Sequence, residues 1–169
     1  VAKPLSAACW IDGCLYLRLS GAESAVKATI KQWSGELLDN ADQFWRDLRD
    51  QRLDFFSGNA PLWRFSVKPT APLFSLLNNA DTQTSSLSGG QQVIDWGGAQ
   101  RWIKGDADFE LMQGIAADAG GQVSLFRGAV QGAEVFHDQP KALQLIQKRL
   151  KQSFDPNGIF NPGRLYHWL

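Results

Sequence analysis

Two glycine-bearing dipeptides constrain this chain more than any other feature. Asp12-Gly13 separates Ala7-Ala8-Cys9-Trp10-Ile11 from Cys14-Leu15-Tyr16-Leu17-Arg18-Leu19, and Gly97-Gly98 separates the runs 91–96 and 99–104. Two-residue connections that accept φ > 0 match the twist of adjacent antiparallel strands, so each dipeptide reads as a tight hairpin. In the first hairpin Ile11 faces Cys14 and Cys9 faces Tyr16. The two thiols are then diagonal neighbours, too far apart for an unstrained bridge. Two free cysteines fit a reducing compartment and point to a cytoplasmic protein.

The remaining order follows from periodicity. Leu15, Leu17 and Leu19 share one strand face, which the alternation places as buried. Helical spacing predicts a helix over 22–33, in which Glu23 and Lys27 form an i,i+4 pair. Cap residues over 39–42 introduce a second helix over 43–56, whose Arg46, Asp47, Arg49, Asp50 and Arg52 read as a solvated mixed-charge face. A strand over 62–68 alternates Trp63, Phe65 and Val67 with Arg64, Ser66 and Lys68. A short helix around 73–77 and a polar loop over 78–90 follow. Asp106 or Asp108 caps a helix reaching 119, then come a strand over 122–127 and a bend over 128–132. The last helix starts at Pro140 or Lys141 and runs to 153, with Leu143, Ile146 and Leu150 inward. Strand, helix, strand therefore occurs twice. That order implies an α+β fold: a ferredoxin-like antiparallel sheet with helices packed mainly on one face, plus extra hairpins.

Size and composition exclude several function classes. At 169 residues the chain is one domain by length. Its formal net charge of zero argues against a nucleic-acid binder, while leaving room for a local basic patch. No stretch approaches the roughly 20 apolar residues of a membrane span. No signal peptide precedes Lys3-Pro4, and a start at Val1 rather than Met leaves room for an upstream part. Neither a dinucleotide fingerprint nor a P-loop is readable, and no metal-ligand spacing is present, so no metal site is expected. Seven Trp and ten Phe suit a dense core or an apolar surface that meets another body.

The C-terminus carries the most specific pattern. Asp155-Pro156-Asn157-Gly158 fits a type I turn and Asn161-Pro162-Gly163-Arg164 a type II turn, with Ile159 and Phe160 between them and Leu165 and Tyr166 after. This is a rigid strap with apolar anchors. The stretch from Phe154 to Arg164 resembles the ending of the FAD-linked oxidases with a vanillyl-alcohol-oxidase type fold. Within that family the chain looks most like the E subunits of bacterial glycolate oxidase. Leu62-Trp63-Arg64-Phe65-Ser66-Val67, the segment from Asp95 to Trp102 and Leu125-Phe126-Arg127-Gly128 support the resemblance from about Trp63 to the end.

The resemblance implies that 1–169 is a C-terminal cap domain including the strap 153–169, with the flavin-binding domain outside this chain. It implies FAD in the full-length protein and none in this piece alone. Partners would be other glycolate oxidase subunits and a small 2-hydroxy acid, oxidised to the 2-oxo acid. The location would be cytoplasmic, at the inner face of the cell membrane through partner subunits. Carried over residue by residue, Asn161, Gly163 and Arg164 are the cofactor-binding candidates. Catalytic members of the family carry a cap segment like Gly-Asp-Gly-Asn-x-His and often a His/Glu metal site. Here Gly120-Gly121-Gln122-Val123-Ser124-Leu125 stands in that place without the histidine, so no catalytic residue is assigned. Arg127 and His137 are candidates to line an anion pocket for substrate. The alternative reading is a non-catalytic ferredoxin-like module that binds a partner protein or a small acid.

Overall fold

Alternating side chains build one antiparallel sheet in this protein, seen in a computed structural model that describes residues 3–74, 92–128 and 135–169. The strands are β1 (Leu5–Ile11), β2 (Cys14–Leu19), β3 (Leu62–Ser66), β4 (Gln92–Asp95), β5 (Gln100–Lys104) and β6 (Gln122–Arg127). The helices are α1 (Glu23–Trp33), α2 (Ala41–Arg49), α3 (Phe109–Asp118) and α4 (Lys141–Phe154). The sheet order is β2-β1-β4-β5-β3-β6, and every neighbouring pair is antiparallel. It follows that β5 and β6 run in the same direction with β3 between them, joined through α3. Likewise β2 and β3 share a direction, with three strands between them. The α+β class with an antiparallel sheet is the one the sequence implied, but the helices, expected mainly on one face, pack on both, α3 on one and α2 on the other.

β3 sends buried side chains to both faces, Leu62 to one and Trp63 and Phe65 to the other, while Arg64 and Ser66 stay exposed. Trp63 and Phe65 lie opposite Ile103 and Arg101 on β5, and opposite Leu125 and Val123 on β6. On that face α3 lays Met112, Ala116 and Ala119 against the strands. Leu62, one residue out of phase, points to the other face. There it joins Cys9, Ile11, Val93 and Trp102, covered by Leu48 of α2 and by a 3-10 turn over Asp54–Phe56. Asp108 caps α3 by accepting from the Leu111 amide at 3.1 Å. At the far end of α3, Gly121 comes so close to β3 that a Cβ would sit 2.0 Å from the Ser66 carbonyl oxygen.

The first hairpin has the expected register, with Ile11 opposite Cys14 and Cys9 opposite Tyr16. The second is longer than two residues. Asp95 pairs with Gln100, and Trp96–Gly98 forms a 3-10 turn that Asp95 caps by accepting from the Trp96 amide at 2.7 Å. The side-chain cap draws Trp96 out of the strand, which the glycine pattern alone does not reveal. The second helix stops at Arg49 instead of reaching 56, because Gln51 turns left-handed at φ 56°. Leu15 and Leu17 are exposed, at 62% and 38%, so the expected burial of that β2 face is corrected. The packed face of β2 is the opposite one, where Tyr16 stacks on Phe44 with ring centroids 4.4 Å apart. Of the short helix expected over 73–77, Leu73 and Phe74 are irregular. Its remaining residues and the loop over 78–90 lie outside the described residues, as does most of the bend over 128–132.

Arg101 is a residue that alternation does not mark as special. It is buried on the α3 face, above the Phe74 ring at 4.7 Å. Its guanidinium donates to the carbonyls of Ala71, Pro72 and Gly98. These charge-assisted bonds tie the segment after β3 back onto the sheet.

Two measurements check this packing. Gly121→Ala should lower stability by about 2 kcal/mol in urea unfolding, since neither backbone can yield. Cys9 is buried and its thiol is pushed up to about 12 by that burial, with the Asp95 charge adding to it, whereas Cys14 is exposed. A thiol reagent should therefore label one cysteine in the native protein and the second only on unfolding.

Candidate functional site

The strap is organised by one carboxylate. Asp155 follows the last turn of α4 and is buried. It accepts from Lys151 Nζ at 2.5 Å and from the amides of Ile159 and Phe160, each at 2.9 Å. Lys151 also donates to the Phe160 carbonyl. These bonds wrap the chain around Asp155, and the Gly158 amide closes the first turn on the Asp155 carbonyl at 3.1 Å. The second turn closes from the Arg164 amide to the Asn161 carbonyl at 3.2 Å, with Gly163 at φ 67° as a type II turn requires. Both turns stand where the sequence placed them. The Lys151 ammonium, with the two amides, holds the Asp155 carboxyl down to about 2.

Tyr166 anchors the far end. Its hydroxyl donates to the His137 carbonyl at 3.1 Å and accepts from Gln139 Nε2 at 3.0 Å. Trp168 stacks on it at 4.8 Å. The other apolar strap residues are not anchors within this domain: Ile159 and Phe160 are 69% and 67% exposed. The same holds for α4, where Leu143, Ile146 and Leu150 are exposed and not inward. Phe154, at the end of α4, is 80% exposed. The stripe keeps its helical period, but among the described residues nothing lies over it. An apolar belt thus runs along α4 and onto the strap.

The sequence-derived candidates fall in three places. Asn161, Gly163 and Arg164 sit together in the second turn, exposed, beside Ile159 and Phe160. Arg127 ends β6 and donates to the Phe56 carbonyl at 2.6 Å and to Gln51 Oε1 at 3.3 Å. His137 pairs its amide with the Val123 carbonyl at 3.0 Å, at the other end of β6. Its Nδ1 is buried without a partner, and burial lowers the imidazole pKa. Four residues of strand, about 13 Å, separate the level of His137 from Arg127. The structure therefore does not bring these two side chains into one pocket.

A feature that no single sequence pattern marks lies on the α2 face of the sheet. An open groove of about 610 Å³ is walled by Arg18, Arg46, Arg49 and Arg64, with Trp45, Trp96 and Phe126 among its aromatic lining. Arg46 and Arg49 are exposed, as the solvated-face reading expects, and also line this groove. The available signal was the phase of β3, which points Arg64 away from Trp63 and Phe65.

The chemistry of these sites is limited. The second strap turn offers an exposed guanidinium, an amide side chain and close backbone approach. Those groups suit contact with a phosphate or a flavin edge and do not make a cradle that would hold a dinucleotide. Among the described residues no group of His, Cys, Asp or Glu could hold a metal ion, and no helix is long and apolar enough to cross a membrane.

Over 163 residues, 96% of the chain, the sequence is 40% identical to glycolate oxidase subunit GlcE of Escherichia coli (strain K12). The chain is similar to a domain-length part of a GlcE subunit. It spans 42% of that relative's length. The likeness to GlcE extends well before Trp63, into the first hairpin and α1, where the motifs quoted above are silent. No protein-family model matches the chain, and no solved structure matches it significantly.

The Asp155 clamp has a definite pH signature. Its folded pKa, about 2, lies below the ordinary carboxylate value of about 4. Its bonds therefore contribute fully above pH about 4 and are lost as the pH falls towards about 2. Asp155→Ala should lower hydrogen-exchange protection of the Ile159 and Phe160 amides at least tenfold at neutral pH, with β3 unchanged. Acidification of the unmutated protein should release the same amides over that window.

Proposed function

We propose that this chain is the C-terminal cap domain of a glycolate oxidase E-type subunit, working in a flavin-dependent assembly that oxidises glycolate or a similar 2-hydroxy acid to the 2-oxo acid. The observation that carries the reading is the strap. It is prebuilt around Asp155, yet it turns Ile159 and Phe160 outward beside the Asn161–Arg164 turn. A contiguous exposed apolar belt of this kind marks a surface that meets another body. The 40% identity to part of GlcE points to the rest of an E-type subunit as that body.

In this reading the belt of α4 and the strap packs against the flavin-holding part and keeps water from it. Asn161 and Gly163 place the second turn close to the cofactor, and the Arg164 guanidinium pairs with phosphate oxygens. FAD, when bound, supplies acceptance of the hydride equivalent from the hydroxy acid. Arg127 and His137 would contribute to substrate binding only across such an assembled interface. No residue of this chain is assigned a catalytic role, and other glycolate oxidase subunits carry the hydroxy-acid chemistry. The assembly would sit in the cytoplasm, at the inner face of the membrane through those subunits.

The test is flavin retention. Full-length subunit purified with its partners should hold FAD, and Arg164→Ala combined with Asn161→Ala should weaken FAD retention about tenfold, the loss of one charge-assisted contact. The 1–169 chain alone should purify colourless. Unchanged retention in the double variant, or stoichiometric FAD on the isolated chain, would overturn the reading.

A further inference from the structure

We infer that the arginine groove on the α2 face is a docking site for an extended, acidic segment of a partner protein. The inference stands apart from the flavin reading and uses none of the strap residues. Arg18 lies over the Trp45 ring at 5.5 Å and donates from Nε to Ser6 at 3.0 Å. Arg64 lies over the Phe126 ring at 5.6 Å. Among the described residues neither pairs with a carboxylate. Arg46 donates to Gln43 Oε1 at 3.1 Å, and Arg49 is engaged by Asp50 at 2.8 Å. Contact with the rings holds the Arg18 and Arg64 groups in place, and beyond the Arg18 Nε bond to Ser6 their donors are uncommitted among the described residues, which is the arrangement that receives carboxylates.

The carboxylates that line the groove do not cancel this. Asp42 and Asp95 stand against the four arginines, and Asp95 is committed to the Trp96 amide. The lining keeps a net positive charge in a protein whose overall net charge is zero. Charge is therefore concentrated where the concavity is.

Length decides the class of occupant. Arg18 is on β2 and Arg64 on β3, four strand spacings apart in the sheet. That is about 19 Å at ordinary strand separation. Arg64 leans over Phe126 on β6, away from Arg18, so side-chain reach does not close the gap. A two-carbon acid cannot touch both ends. An extended polypeptide, advancing about 3.3 Å per residue, spans them with six residues or so. The groove is open to solvent, as a strand-like guest requires. At its rim Trp96 is 73% exposed and held in the left-handed region at φ 52°, an unfavourable conformation for a bulky residue. Such local strain concentrates at binding sites.

The experiment is fluorescence anisotropy of fluorescein-labelled hexaglutamate with the purified protein at low salt. Saturable binding is expected. Arg18→Ala with Arg64→Ala should weaken it at least tenfold, and each single change by about threefold. Both side chains are exposed, so the variants keep the fold, which an unchanged thermal unfolding midpoint confirms. Arg52→Ala, a surface change outside the groove lining, should leave binding unaltered. Trp96→Ala should weaken it without any change of charge. Absence of saturable binding would overturn the inference, as would an equal loss from Arg52→Ala. Displacement of the peptide by glycolate or FAD at lower concentration than by unlabelled hexaglutamate would make the groove a small-molecule site instead, and would likewise overturn it.

Discussion

β3 is the member on which both halves of this domain depend. Leu62 is removed from water on one face, and Trp63 and Phe65 on the other, each contributing roughly 2–3 kcal/mol by burial. Beside it, β5 also serves both cores, with Ile103 beneath α3 and Trp102 beneath α2. The demands of β3 fix the neighbours. α3 must end in glycine where Gly121 meets the Ser66 carbonyl, and the segment after β3 must return so that Arg101 can donate to its carbonyls. One central strand thereby positions both the arginine groove on one face and the approach to the C-terminal segment beyond β6.

The C-terminal segment obeys a different logic. Its order comes from polar contacts, Asp155 with Lys151 and two amides, and Tyr166 with the His137 carbonyl and Gln139. Ile159, Phe160 and Leu165 take almost no part in that order. A segment fixed by hydrogen bonds and presenting its hydrophobic residues outward binds another surface with little ordering cost left to meet. Similarity to part of GlcE, a longer protein, fits a domain whose outer belt is completed elsewhere.

Much of this was legible in the sequence, for reasons that differ by element. Asp12-Gly13 set the first hairpin's register because two left-handed residues leave a single geometry. The strap turns were legible because proline and glycine fix φ locally. The misjudged features share a cause: periodicity reveals that a face is apolar, but not whether anything covers it. Leu15 and Leu17 on β2, and Leu143, Ile146 and Leu150 on α4, all read as inward and are exposed. The groove was hidden for the converse reason. Arg18, Arg46 and Arg64 come from three separate elements, and only the sheet order brings them to one concavity. Arg127 and His137 look close along the chain, yet β6 sets them at opposite ends.

Hydroxyl-radical footprinting of the isolated chain and of the proposed longer E-type subunit measures directly whether the outer belt is an interface. The account predicts that Phe154, Ile159 and Phe160 are oxidised readily in the isolated chain and are protected at least fivefold in the subunit, while Trp96 stays reactive in both. Equal oxidation of Phe154 and Phe160 in the two forms would contradict it, because the strap would then be fully formed with nothing to clasp.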